Sequence, residues 1–227
     1  MTGLSESTRR ATRGNDVKPR LRGWSHLIAT VPAVAMTVVL LALARGHMGR
    51  QFALLVYGAA SVVLFAVSGL YHTINWAPRP RALLRRLDHA NIFLLVAGTY
   101  TPVVLTLLTG AWMITLISLA WAIAVVGIAL VVPSTRLPRQ LLAGLYLVQG
   151  WVAIVALPVI VGVVGFGGLA LLLVAGALYT LGAVAYVLRW PTIVKGWFGY
   201  HEVFHVFVIA ANATFFGFMV TEVAQRP

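Results

Sequence analysis

Residues 1–23 are polar and basic, and beyond them the chain is a succession of long apolar blocks with brief interruptions. Seven blocks stand out, at 25–44, 52–74, 88–108, 111–132, 140–160, 167–188 and 200–221. Each is close to the ~20 residues that an α-helix needs to cross ~30 Å of hydrocarbon. The interruptions carry charge or turn residues. They fall at 45–50, 76–86, Thr109-Gly110, 133–139, the glycines around 162–168, and 189–199. The very short Thr109-Gly110 connection makes the third and fourth blocks antiparallel neighbours. In lipid only helices and closed barrels satisfy the backbone. Barrel strands would alternate over ~10 residues, and these blocks do not alternate. The pattern predicts an all-α fold, a seven-transmembrane-helix bundle over residues 24–227. Residues 1–23 lack an apolar periodic face and read as a disordered tail.

Composition agrees with a membrane protein. Hydrophobic residues make up 60% of the 227, only 10% are charged, and mean hydropathy is +0.92. A soluble domain is about 25% charged. The net charge of +12 would suggest nucleic acid in a soluble protein. Here the basic residues sit in the tail and between apolar blocks, so the expected partners are membrane lipids with anionic headgroups, and not nucleic acid. There is no cysteine, which excludes disulfides and cysteine zinc sites. Any metal must be held by nitrogen or oxygen. Ala42-Leu43-Ala44 mimics a signal-peptide cleavage site, but the apolar run before it is too long for a signal region of ~7–15 residues. Arg9-Arg10 is followed by no nearby apolar run of a twin-arginine signal.

Loop charge sets the expected orientation. With the N-terminus cytoplasmic, fourteen of the seventeen Lys and Arg fall inside, among them Arg79, Arg81, Arg85, Arg86, Arg136, Arg139, Arg189 and Lys195. Only Arg45, Arg50 and Arg226 fall outside. The C-terminus is then external. Trp24, Trp76, Trp190 and Trp197 all come at cytoplasmic span ends, as an interfacial aromatic belt requires.

This orientation places four polar groups at one depth. His72 is near the cytoplasmic end of the second block, Asp88 opens the third, and His201 and His205 lie in the first turns of the seventh. His201 and His205 are four residues apart, so one helix face carries both rings and they can share a metal ion. Ionisable groups inside a membrane are expensive and by default mark function. Ser68, four residues before His72, shares its face one turn deeper. Three histidines with an open fourth position are the pattern of a catalytic zinc site. Asp88 would accept a proton from the bound water or hold it in place. The alternative for Asp88 is a cap on the third helix, paired with Arg85 or Arg86. His89 points ~100° away from Asp88 and reads as interfacial. Gln149 and Asn212 read as ties between helices. His26, near a span end, and His47, in the first external loop, carry no signal.

His201-Glu202-Val203-Phe204-His205 also matches H-E-x-x-H, in which the Glu is the general base of a zinc protease. Such a protease takes a third ligand from downstream. Glu222 is the downstream carboxylate, about 25 Å from His205 along a helix of ~1.5 Å per residue. The third ligand must come from another helix, and His72 has the right depth. Glu202 remains the alternative base.

Ser68-Gly69-Leu70-Tyr71-His72, Leu87-Asp88-His89 running to Ala97-Gly98-Thr99-Tyr100-Thr101-Pro102, and His201-Glu202-Val203-Phe204-His205 together resemble the hemolysin III family. That bacterial family lies within the progestin and adipoQ receptor superfamily, which includes the adiponectin receptors. The resemblance runs from about Trp24 to the C-terminus. It implies seven helices with the N-terminus inside, in a bacterial cytoplasmic membrane. It implies Zn2+ on His72, His201 and His205, with Asp88 and Ser68 as the family's aspartate and serine. It also implies an activity like that of ceramidases, hydrolysis of a lipid amide or ester. The alternative function is non-enzymatic: a cytolysin, as the family name suggests, or a sensor of membrane state, in which the metal is structural. The outer halves of the blocks are almost uniformly apolar, which disfavours a wide pore.

Overall fold

The computed structural model describes residues 19–133 and 137–226. Most of the basic tail and Arg136 therefore lie outside the described residues. Among the described residues seven α-helices follow one another: α1 (Trp24–Leu43), α2 (Met48–Thr73), α3 (Pro78–Leu107), α4 (Gly110–Val131), α5 (Arg139–Trp151), α6 (Leu157–Leu188) and α7 (Tyr200–Phe218). A 3₁₀ segment, Val152–Ala156, joins α5 to α6, and a π-helical segment, Met219–Ala224, extends α7. Among the described residues no strand forms beyond one isolated bridge between Val194 and Phe198. Six stretches of the described residues are long and apolar enough to cross a membrane, the fifth being the continuous Arg139–Leu188. The protein is a polytopic helical membrane protein.

Two boundaries differ from those the residue pattern predicts. The charged stretch 79–86, expected as a loop, belongs to α3, which starts at Pro78. Proline suits the first helical position, where its missing N–H costs nothing. The Arg, Ala and Leu residues that follow are strong helix formers. The second difference lies in Arg139–Leu188, a stretch of 50 residues. Pro158 cannot donate an in-helix hydrogen bond, so the chain tightens over Val152–Ala156 and α6 restarts with proline in its first turn. Within α6 Gly165 has φ 65 and ψ −172, a conformation essentially open only to glycine. That break lies among the glycines where the sequence placed one.

α3 is the central helix. Its span is 72% buried, whereas the others range from 17% to 50%. The remaining helices keep apolar side chains such as Ile28, Val31, Val125 and Leu181 exposed, as lipid contact requires. Small residues let the first helices close up. A Cβ on Gly58 would lie 2.3 Å from Thr37, one on Gly69 2.7 Å from the Leu27 backbone, and one on Gly98 2.8 Å from Ala60. Gln149 and Asn212 do tie helices. Gln149 Nε2 donates to the Phe93 and Ala120 carbonyls, each at 3.1 Å, and Asn212 Nδ2 donates to Ser61 Oγ at 2.9 Å.

The first described residues and the C-terminal residues contact opposite ends of the bundle. Arg20 N–H donates to the Gly196 carbonyl in the α6–α7 loop at 3.1 Å, close to where α7 begins. At the other end Arg50 donates to the Ala224 and Arg226 carbonyls, and Arg226 donates to the Val163 carbonyl at 2.6 Å.

Candidate metal centre

His72 lies in the last turn of α2, and His201 and His205 lie in the first two turns of α7. His72 Nε2 faces His201 Nε2 at 3.1 Å. The His205 ring centroid is 5.3 Å from that of His72 and 4.6 Å from that of His201. One ring nitrogen of each residue lies within 4.8 Å of the other two. The fold thus gathers the three histidines singled out in the sequence. Asp88 joins them from α3, with Oδ2 3.6 Å from His72 Nε2. That nitrogen is the one facing His201, so the carboxylate sits on the ligand side of the ring, not behind it. Ser68 is buried and lies beside Asp88.

These residues fit a metal ion. The 3.1 Å between the facing nitrogens is close to the roughly 3.3 Å edge of a tetrahedron with ~2.0 Å bonds. Without a shared cation, only one of two facing imidazole nitrogens carries a proton for the other to accept. His205 Nδ1 is buried and has no protein partner, and such atoms call for a ligand or water.

Asp88 does not cap a helix. Because α3 begins at Pro78, Asp88 lies in its third turn, past the positions that carry free N–H groups. Among the described residues its ion-pair partner is His72, not Arg85 or Arg86. His89 turns away, with Nδ1 donating to the Arg85 carbonyl at 2.7 Å.

Glu202 is committed elsewhere. Its Oε2 accepts from the Gly199 N–H at 2.8 Å, the reciprocal bond of a capping box that starts α7. Its Oε1 accepts from Arg22 Nε, also at 2.8 Å. Glu202 therefore starts the helix that bears two of the histidines, and H-E-x-x-H is here a structural match.

The residue pattern does not single out His26. This residue of α1 is 2% exposed, and its ring lies parallel to that of His205 with centroids 3.7 Å apart and planes 7° apart. Neither of its nitrogens has a protein partner. The signal was present, since His26 lies at the same predicted depth as the other histidines. A lone histidine near a span end does not reveal which way its helix face points. The approach of α1 depends on Gly23, with φ 87, where a Cβ would lie 2.5 Å from His72 Cβ.

All five groups, His26, His72, Asp88, His201 and His205, open onto one cavity of ≈ 350 Å³, which Ser68 also lines. From there the cavity follows α3 inward as far as Val104, sixteen residues beyond Asp88. That is roughly 24 Å of helix at ~1.5 Å per residue. Leu116, Ile160, Leu172 and Phe215 line its deep end. The shape is a long apolar channel with a polar, nitrogen-rich head.

Fold and site together define a polytopic membrane protein with a three-histidine cluster, able to hold a metal, at the head of an apolar cavity. The chain belongs to the haemolysin-III-related family, whose pattern matches residues 15–216. It is similar to Hemolysin-3 of Bacillus cereus, 33% identical over 197 residues that cover 85% of each chain. It is also similar to the Hemolysin-3 homolog of Bacillus subtilis (strain 168), 28% identical over 190 residues covering 84% of this chain and 85% of that one.

Proposed function

We propose that this protein is a zinc-dependent hydrolase of a lipid amide or ester. It works in a bacterial cytoplasmic membrane, as seven spans with the N-terminus inside and the C-terminus outside. The observation that carries the reading is the cavity. It joins the three histidines and Asp88 to an apolar channel long enough for an acyl chain. A metal with a purely structural role belongs in a closed site, and this cluster is open to the channel.

Three imidazoles suit zinc, which His72, His201 and His205 would hold. When bound, zinc supplies a polarised carbonyl and a water of lowered pKa. The protein's own groups account for the rest. Asp88 Oδ2 takes one proton from the attacking water. The water oxygen bonds to the carbonyl carbon, the C–N or C–O bond breaks, and the proton passes to the departing nitrogen or oxygen. The products are a fatty acid and an amine or alcohol. Ser68 holds the Asp88 carboxylate in position, and the apolar walls keep bulk water from the acyl chain. Glu202 is unsuited to the proton transfer because both its oxygens are engaged.

Seven crossings are favoured by the geometry of Arg139–Leu188. Its 50 residues would extend about 75 Å if straight, far beyond the ~30 Å of hydrocarbon. The Val163 carbonyl bonds Arg226 at the C-terminal end of the bundle. Tyr146 donates to the His89 carbonyl, and Tyr186 packs on His201, both at the opposite end. This half of the chain therefore goes out and returns, turning at Gly165.

The test pairs metal analysis of the purified protein with a hydrolysis screen of acyl amides and esters, ceramide among them. About one zinc per chain with zinc-dependent release of fatty acid is expected. A full complement of zinc with no release from any substrate would leave the structural-zinc reading in its place.

A further inference from the structure

One face of α3 runs along the cavity, and its chemistry changes in order. Arg85 is at the mouth, Asp88 lies about one turn further in, and Ile92, Thr99 and Val103 follow along the channel. These positions recur at helical spacing. The same face continues outward to Arg81, one turn before Arg85. Across the mouth, Arg139 of α5 and Arg85 both lie within electrostatic reach of the Tyr186 hydroxyl, and Tyr186 also lines the cavity. The mouth is cationic, the neck carries the histidines and Asp88, and the body is apolar.

Nothing at this end of the described structure neutralises those cations. Asp88 faces His72, and Glu202 is held by Arg22 and the Gly199 N–H. Glu222 lies in the π-helical segment at the opposite end. A guanidinium at the rim of a low-dielectric channel interacts with an anion far more strongly than one in open water. Its planar fork of donors matches an oxyanion.

We infer that the cavity takes a lipid with an anionic oxyacid headgroup, read by Arg85 with Arg81 and Arg139, while one acyl chain fills the channel. The order of groups along α3 places the anionic group on the outer side of the histidines and the chain on the inner side. This deepens the hydrolase reading, since the bond at the neck would join the anionic head to the chain. The binding itself needs no turnover.

The test uses zinc-loaded full-length protein in a neutral detergent with a bound pyrene-labelled fatty acid. The probe is displaced by hexadecyl phosphate or by hexadecyl phosphocholine, two ligands with the same chain and no bond for the site to cleave. Hexadecyl phosphate should compete about tenfold better. The triple variant Arg81→Gln, Arg85→Gln, Arg139→Gln should bring the two to parity at unchanged zinc content. Inorganic phosphate at the same concentration should displace nothing. Equal competition in the unaltered protein, a preference that survives in the triple variant, or displacement by inorganic phosphate would each overturn the proposal. Failure of the hydrolase reading looks different: the preference persists, but no acyl amide or ester is turned over.

Discussion

The imidazoles of His26 and His205 lie face to face, 3.7 Å apart and within 7° of parallel. His205 reaches the cluster from α7, and His26 backs it from α1. A metal-ligating histidine needs its ring orientation fixed, and losing that support typically costs ~10–100-fold in metal affinity or activity. His26→Ala should therefore weaken zinc binding by about tenfold in a chelator titration. His26→Phe restores the flat partner without the nitrogens and should recover zinc binding. Equal affinity in the alanine variant and the unaltered protein would show that the stack does not orient His205.

Zinc content tests the cluster itself. His72→Ala or His205→Ala should lose most of the one zinc expected per chain, measured by elemental analysis after dialysis. His89→Ala, which removes a ring turned away towards the Arg85 carbonyl, should keep it. Full occupancy in both ligand variants would refute the assignment.

Asp88 and Glu202 should separate cleanly. Asp88→Asn keeps the side chain's shape but removes the proton acceptor. It should leave zinc bound and lower hydrolysis by about 10²–10⁴-fold. Glu202→Gln leaves Arg22 without its counter-charge in a half-buried setting, so it should cost about 2 kcal/mol of stability. Its zinc-dependent turnover per folded molecule should stay near the unaltered value. A variant Glu202→Gln that is stable but inactive would make Glu202 the base after all.

The three-histidine cluster was legible because the arguments behind it are local. A spacing of four puts two rings on one face, and loop charge gives depth. His26 was not legible in this way, because depth without face leaves a lone histidine ambiguous. The arginines of 79–86 read as a loop by pattern alone, since charge and helix are hard to separate where a span meets the interface. Only the three-dimensional structure shows Pro78 starting the helix early and so carrying Asp88 away from any cap. Glu202 misleads for a similar reason. Its motif matches a metal site, whereas its bonds to Gly199 and Arg22 depend on a loop whose path the residue pattern does not encode.

Topology can be checked with fusions. A reporter after Pro227 should be active only outside the cytoplasm, and one placed between Ile74 and Pro78 only within it. Activity of both on one side would contradict the odd number of crossings inferred from Gly165.

The Arg22–Glu202 pair joins positions 180 residues apart, and His72 meets His201 across 129. Both contacts await the final helix, although one partner of each belongs to the first part of the chain to be made. Contacts of such long range form late in folding. During synthesis Arg22 must wait without its carboxylate and His72 with only Asp88 of α3 beside it, until α7 brings Glu202, His201 and His205 together. The histidine cluster therefore marks completion. A chain that stops short of Tyr200, or one whose last helix fails to insert, keeps His72 and Asp88 but has neither His201 nor His205, so metal retention would report whether the whole bundle has closed.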